Sequence, residues 1–355
     1  MKTQTRTEWP DKFSDVEDLD ERMTRPDAAL VEDLNRIKGD IILLGVSGKL
    51  GPTIARLAKR AAPSRRVIGV ARFRDGGSRD YLEQHGIETI SCDFLDRDSV
   101  ARLPDAENAI FMAGLSPQKF GQGPNEALMW AMNTYVPSLI AERFAHSNIV
   151  CFSTGCVYPF VSVYSGGATE QTPVQPPAST YANSCVGRER IFEHFGRRAG
   201  TPHCIVRLNY AIDMRYGVLH DIAVRILNGE AIDLTTGNVN VIWQGDAASM
   251  ALRCLLRCSV PGTVINISGP ETVSVRAVAH RMGELLGREP ILEGRESDMG
   301  WLVNTTQAMR EFGYPQVSLG RLVAWTADWT GRRMPTFSKK TSYEARPTDF
   351  AAGGR

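Results

Sequence analysis

The chain runs to 355 residues, 43% of them hydrophobic, with 41 Lys and Arg against 40 Asp and Glu for a net charge of +1. That length supports one large domain or two intimate ones, and the near-neutral balance excludes the basic footprint of a nucleic-acid or membrane-surface binder. The seven cysteines are odd in number and scattered. Met1 to Asp20 has no apolar leader and no apolar run is long enough to cross a bilayer, so a reducing cytoplasm is the expected setting. Cys254 and Cys258 lie four apart without a His or further Cys to complete a zinc site; buried thiols and no metal are expected.

Residues 1–38 read as an extension, with short helices over 14–23 and 27–37 and Pro26 at a helix-start position. Residues 40–45 read as a buried strand that runs into a glycine-rich loop, and 52–62 have helical spacing. Further strands are expected at 66–71, 87–91, 108–112, 150–153 and 204–207, with helices over 125–144 and 181–195 among the connections. This alternation predicts an α/β fold with a Rossmann-type, doubly wound parallel sheet over 39–207. Beyond it, helices at 219–227, 246–256, 275–286 and 319–329 with short strands such as 263–268 predict a smaller mixed lobe over 208–332. Residues 333–355 read as a polar tail with little regular structure.

The loop Gly45-Val46-Ser47-Gly48-Lys49-Leu50-Gly51 follows a strand and opens a helix. Glycines at this spacing let the chain turn tightly and bring its amides, with the next helix's dipole, against a pyrophosphate. NAD binders place an acidic residue at the end of the second strand to hold the ribose hydroxyls. Here that position is Ala71, followed by Arg72-Phe73-Arg74, and two guanidinium groups suit a 2′-phosphate. NADP is therefore the expected cofactor, with NAD the alternative; the plainer reading of the arginines is a solvated basic loop.

With these residues in view, residues 40 to about 330 resemble the extended short-chain dehydrogenase/reductases, specifically the NAD-dependent epimerase/dehydratase family. Gly45, Gly48 and Gly51 have that family's spacing. Asp93-Phe94 resembles its adenine-contacting pair, and Met112-Ala113-Gly114 the segment lining the pyrophosphate and ribose. Asn133 resembles the helix asparagine that steadies the active site, and Ser153-Thr154-Gly155-Cys156-Val157-Tyr158 the catalytic serine/threonine segment. Glu170, Pro173 and Pro176 precede Tyr181, and Glu189 follows it, much as in the family. Asp246, Asn266 and Phe312-Gly313-Tyr314-Pro315 match its C-terminal lobe.

The resemblance implies that Tyr181 passes a proton to or from the substrate while hydride moves to or from the nicotinamide, and that Thr154 holds the reacting oxygen. The family's lysine, four residues after the tyrosine, is here Cys185. That lysine holds the nicotinamide ribose and lowers the tyrosine pKa from about 10, each unit being worth about 1.4 kcal/mol. Arg188, almost two turns beyond Tyr181, is the nearest compensating cation. Pairing of Arg188 with Glu189 or Glu193 is the competing reading, and Lys119 is a weaker candidate. The dehydratases' Asp-Glu pair after the threonine is replaced by Gly155-Cys156, which argues against dehydration by that route.

The expected function is an NAD(P)-dependent oxidoreductase or epimerase acting on a hydroxyl or keto carbon of a sugar-like small molecule. The alternatives are a dinucleotide-binding protein with little catalysis and a lyase that uses the nicotinamide transiently. Arg207, Arg215, Tyr216 and Trp243 are candidate substrate contacts. A homodimer is expected through the helices over 125–144 and 181–195, whose stripes include Trp130, Ile140, Phe144, Ile191 and Phe195.

Overall fold

The computed structural model describes residues 9–74, 76–115, 125–337, 339, 341, 343 and 344. Its centre is a seven-stranded parallel sheet: β1 (Ile41–Leu44), β2 (Val67–Ala71), β3 (Glu88–Ser91), β4 (Asn108–Phe111), β5 (Asn148–Thr154), β6 (His203–Leu208) and β7 (Thr263–Ile267). They stand in the order β7-β6-β5-β4-β1-β2-β3. β1 pairs Ile41 with Val67 on one side and with Asn108 on the other. All four β1 residues are buried, as a strand covered on both faces demands. The chain steps outward from β1 to β3, then returns to place β4 on β1's other side. That reversal opens a crevice beyond the carboxyl ends of β1 and β4, where α/β sheets bind ligands.

Six strands fall where the sequence places them; the seventh does not. Residues 263–267, expected as a short strand of the smaller lobe, extend the central sheet in register Thr263↔Cys204 and Ile265↔Val206. Ile265 and Ile267 are fully buried there. A long connection separates β6 from β7, so their adjacency leaves no local sequence signal.

The expected helix over 125–144 is three pieces: Glu126–Trp130, a π-helical turn Ala131–Tyr135, and Val136–Arg143. Pro137 explains the break. It lacks an amide, and its ring clashes with the carbonyl four residues back, that of Asn133. The widened turn is the kind found at functional sites.

The described parts of both terminal segments pack against the body of the protein. Helices Val16–Met23 and Ala28–Arg36 are capped by the Asp15 and Asp27 carboxylates. Leu30 and Leu34 join the core beside β1, while Phe13, Leu19 and Met23 join the core of the smaller lobe with Trp243, Trp325 and Trp329. The tail has no helix or strand among its described residues, yet Tyr343 is buried in that second core and Glu344 pairs with Arg225 at 2.7 Å.

Ile140 and Phe144, expected on an intersubunit stripe, face the subunit's own sheet and are buried. Trp130 and Tyr135 are the large apolar residues of that segment left exposed. No helix among the described residues is long and apolar enough to cross a membrane.

Candidate active site

The glycine loop leaves β1 with Gly45 and Val46 donating to the Val70 carbonyl at 2.8 and 3.2 Å. Gly45 has φ +100°, and a Cβ there would come within 2.6 Å of the Ala113 backbone; at Gly51 it would press on the Val46 carbonyl at 2.0 Å. Packing within the protein thus accounts for two of the three glycines. At Gly48 the nearest atom to an added Cβ is the Gly45 oxygen at 3.6 Å, an ordinary contact. Gly48 lines the cavity, so what it keeps clear is space for something bound. Helix Gly51–Ala61 then begins without a side-chain cap and without an acidic residue in its first turn. Its first amides and dipole are left for an anion. Ser47 is exposed at the crown of the loop.

Across the crevice, Met112 follows β4 into the cavity wall and Ala113 is buried behind it. Asn133 is fully buried and clamps Leu115, two residues past Ala113, by both backbone groups. Its Oδ1 accepts from the Leu115 amide at 3.0 Å and its Nδ2 donates to the Leu115 carbonyl at 3.1 Å. Nδ2 also reaches the Ser184 hydroxyl at 2.9 Å, on the helix that carries Tyr181. Arg188 donates to the same Asn133 Oδ1 at 2.7 Å and to the Phe152 carbonyl at 2.9 Å, with its guanidinium over the Phe111 ring. Gly114 is needed for this arrangement, because a Cβ there would lie 2.3 Å from Arg188 Nη2.

Arg188 therefore reaches back toward the site, as its helical spacing implies, but it works under the floor. The competing pairing falls elsewhere: Glu193 pairs with Arg190, and Glu189 with Arg207 at 2.7 Å. Lys119 lies outside the described residues.

β5 ends at Thr154 on the cavity wall, and Ser179 caps helix Thr180–Ala199, which presents Tyr181 beside it. Thr154 Oγ1 accepts from the Cys156 amide at 3.2 Å. Cys185 is fully buried against Val157, Tyr158, Ala168 and Val303. The Tyr181 hydroxyl interacts with the Cys185 sulfur, and Tyr181 is held well above its usual pKa. The negative charge that Cys185 can acquire is the first cause, burial the second and Cys156 the third, with Arg188 opposing them. Burial also raises Cys185 itself, and pushes Cys156 up to about 11. At neutral pH the site holds a phenol and two thiols, the reverse of what a lysine at 185 would give.

Thr154, Cys156 and Tyr181 share a cavity of about 590 Å³, with Cys185 packed behind it. The loop supplies Gly45, Gly48, Lys49, Leu50 and Gly51; β5 and its sequel supply Phe152, Ser153, Thr154 and Cys156. The far wall is Asn209, Tyr210, Tyr216, Gly217, Gln244, Trp301 and Thr341. Trp301 is fixed by its Nε1 on the Tyr158 carbonyl at 3.0 Å and by a stack on Phe160 with ring centroids 4.7 Å apart. Thr341 comes from the tail, and its amide donates to the Asp221 carboxylate at 2.8 Å.

Of the four candidate substrate contacts, Tyr216 alone lines the cavity. Trp243 is buried in the smaller lobe's core, stacked on Phe13. Arg207 is buried between Glu189 and the Tyr158 hydroxyl. Arg215 is tied to Asp213 at 2.6 Å and Asp20 at 2.8 Å. Each arginine answers a buried carboxylate distant in sequence or masked by a turn. Among the cavity residues missed by sequence reasoning, Gln244, Trp301 and Thr341 come from segments with no motif. Family-matched polar residues of the lobe are structural too. Asn266 accepts the Tyr158 hydroxyl at 2.9 Å, while Asp246 accepts the Val317 amide at 3.1 Å and is pushed up to about 7 by burial. At the outer end of the crevice Phe94 is buried, Asp93 sits 3.8 Å from Arg72, and Arg74 is exposed.

The fold is similar to that of several solved enzymes. UDP-glucuronic acid 4-epimerase from Bacillus cereus, solved with UDP-glucuronic acid and NAD, superposes with a TM-score of 0.68 at 18% identity, covering 83% of this chain and 99% of its own. UDP-glucose 4-epimerase from Thermotoga maritima, solved with UDP-glucose, gives 0.67 at 18% identity, with coverage of 83% and 99%. The dTDP-glucose 4,6-dehydratase of Streptomyces venezuelae gives 0.68 at 19% identity, with coverage of 82% and 97%. No curated protein sequence matches the chain significantly. The sequence profile of the NAD dependent epimerase/dehydratase family matches residues 41–267, from β1 through the last residue of β7. The chain belongs to the NAD-dependent epimerase/dehydratase family, a family of extended short-chain dehydrogenase/reductase enzymes.

Proposed function

We propose that this chain is an NAD(P)-dependent oxidoreductase or epimerase acting on a hydroxyl or keto carbon of a sugar-like small molecule. The observation that carries this reading is that Thr154 and Tyr181 line one cavity with the glycine loop. The residues present fit a dinucleotide: Gly48 keeps the groove clear, and the helix amides after Leu50 lack a cap. When bound, the nicotinamide takes up or returns the hydride. Thr154 Oγ1 orients the substrate oxygen. Tyr181 gives that oxygen a proton when a carbonyl is reduced and takes one when a hydroxyl is oxidised. Asn133 and Arg188 hold the Tyr181 helix to the Met112–Leu115 wall.

The test is turnover of a panel of sugars, sugar acids and polyols with NAD and with NADP. Dinucleotide that co-purifies and is not exchanged points to epimerisation, and exchangeable dinucleotide to net redox. Bound dinucleotide with no turnover over the whole panel would favour a binding protein without catalysis.

NADP is our preferred form, on the strength of Arg72 and Arg74 at the open end of β2. Replacing both with alanine should weaken NADP binding by about tenfold or more and leave NAD nearly unchanged, as a lost charge-assisted phosphate contact implies. Equal loss for both dinucleotides in a binding titration would remove the assignment.

We further propose a homodimer that works in a reducing cytoplasm. The exposed Trp130 and Tyr135 support the first part, and seven free cysteines the second. A monomer mass by light scattering at micromolar concentration would rule out the dimer.

A further inference from the structure

Lys49 departs from the glycine loop into the cavity, and its Nζ stands 2.8 Å from the centre of the Tyr216 ring. Tyr216 is a firm platform. The turn that carries it is closed by reciprocal backbone bonds between Asp213 and Tyr216, at 3.0 and 2.9 Å. Arg215, next in the chain, is gripped by Asp213 and by Asp20 of the N-terminal extension. It also stacks over the Phe337 ring at 4.7 Å, and its carbonyl accepts the Phe337 amide at 3.1 Å. Both terminal segments thus hold the turn on which Lys49 rests. Burial pushes Tyr216 up to about 12, so its ring is a neutral phenol at working pH.

Among the described residues lining the cavity, Lys49 carries the charge; the others there are neutral, including Asn209, Gln244 and Thr341. An ammonium in a partly enclosed, otherwise neutral pocket discriminates by charge more sharply than one in open water. The dinucleotide's phosphates have their own site at the uncapped amides after Leu50. Lys49 Nζ instead lies against the smaller lobe.

Building on the sugar-like reading above, we propose that Lys49 recognises an anionic oxygen group of the substrate, a carboxylate or a phosphate, and makes this a site for acidic sugar derivatives. The neutral far wall hydrogen-bonds the hydroxyls, and the ammonium fixes which end of the molecule enters beside Tyr216. Opposite that end, Thr154 and Tyr181 meet the reacting carbon.

The test is calorimetric binding to the full-length, dinucleotide-loaded protein, with D-glucuronate, D-glucose 6-phosphate and D-glucose as probes. Wild type should prefer at least one of the two acids over glucose by about tenfold or more, the scale of one charge-assisted contact. Which acid wins separates carboxylate from phosphate. Lys49→Met should bring the acids down to the level of glucose, and Lys49→Arg should retain the preference. Equal affinity of wild type for all three probes would overturn this inference while leaving the sugar reading in place. Loss of dinucleotide affinity in Lys49→Met by tenfold or more would also overturn it, because the lysine would then belong to the pyrophosphate. Binding of none of the probes would overturn both readings together.

Discussion

Replacing Tyr181 with phenylalanine is expected to lower kcat by about 10²- to 10⁴-fold, the usual range for a positioned proton-transfer group, and to leave dinucleotide affinity nearly unchanged. Only the hydroxyl is lost, and the ring still fills its place in the cavity wall. The direction of the pH profile follows from the geometry. Tyr181 is held well above its usual pKa, first by Cys185 and then by burial. Below that pKa it is a phenol, ready to donate, so carbonyl reduction should run flat through neutral pH. Oxidation of a hydroxyl needs the tyrosine to accept a proton, so its rate should climb with pH well into the alkaline range. Cys185→Ala removes the foremost cause and should move that climb to lower pH. Initial rates from pH 6 to 10 in both directions check this. Full activity of Tyr181→Phe, or an oxidation rate that is flat with pH, would remove the tyrosine from the mechanism.

Arg207→Met should destabilise the fold by about 3–5 kcal/mol, because it strands a buried carboxylate. The Arg207 and Glu189 side chains are 4% and 0% exposed and meet at 2.7 Å. Glu189 Oε1 also accepts the Ser153 hydroxyl at 2.5 Å, and Arg207 donates to the Tyr158 hydroxyl at 2.7 Å. One ion pair thus fixes β5 next to Thr154, the Tyr181 helix and the start of the Trp301 wall. Urea denaturation of the variant gives the loss directly. Replacing both members with apolar residues should cost much less than Arg207→Met alone, since no charge is then left unpaired. A single variant within about 0.5 kcal/mol of wild type, the scale of an ordinary surface change, would show the pair to be dispensable.

What was legible in the sequence followed a short-range rule. The β1 run Ile41–Leu44 and the glycine spacing are local patterns, and they located the sheet and its crevice. Thr154, Tyr181 and Asn133 each stand in an ordered motif, and the fold brings the first two to the cavity while Asn133 braces the wall behind it. Arg188 was placed on the correct face by helical spacing, but its partners Asn133 and the Phe152 carbonyl belong to other elements. Arg207 and Trp243 looked like ligand contacts because a lone polar or aromatic residue carries no mark of what buries it. Thr341 is the opposite case. A polar, proline-containing tail gives no periodic signal, yet Tyr343 anchors it in the smaller lobe and brings Thr341 to the cavity. The lysine's absence at 185 was plain, and its physical setting was not: the position is packed closed by Val157, Tyr158, Ala168 and Val303.

Trp301 gives the cavity a built-in optical probe. Indole emission overlaps the absorption of reduced nicotinamide and not that of the oxidised form. A tryptophan held rigidly in the cavity wall, its Nε1 on the Tyr158 carbonyl and its ring on Phe160, would therefore pass excitation energy to a bound nicotinamide while the hydride resides on it. In a redox enzyme that quenching would build up and stay with the reduced product. In an epimerase it would flicker within each turnover and average to a constant, so the emission lost in Trp301→Phe, set against the five other tryptophans, distinguishes the two chemistries without a coupled assay.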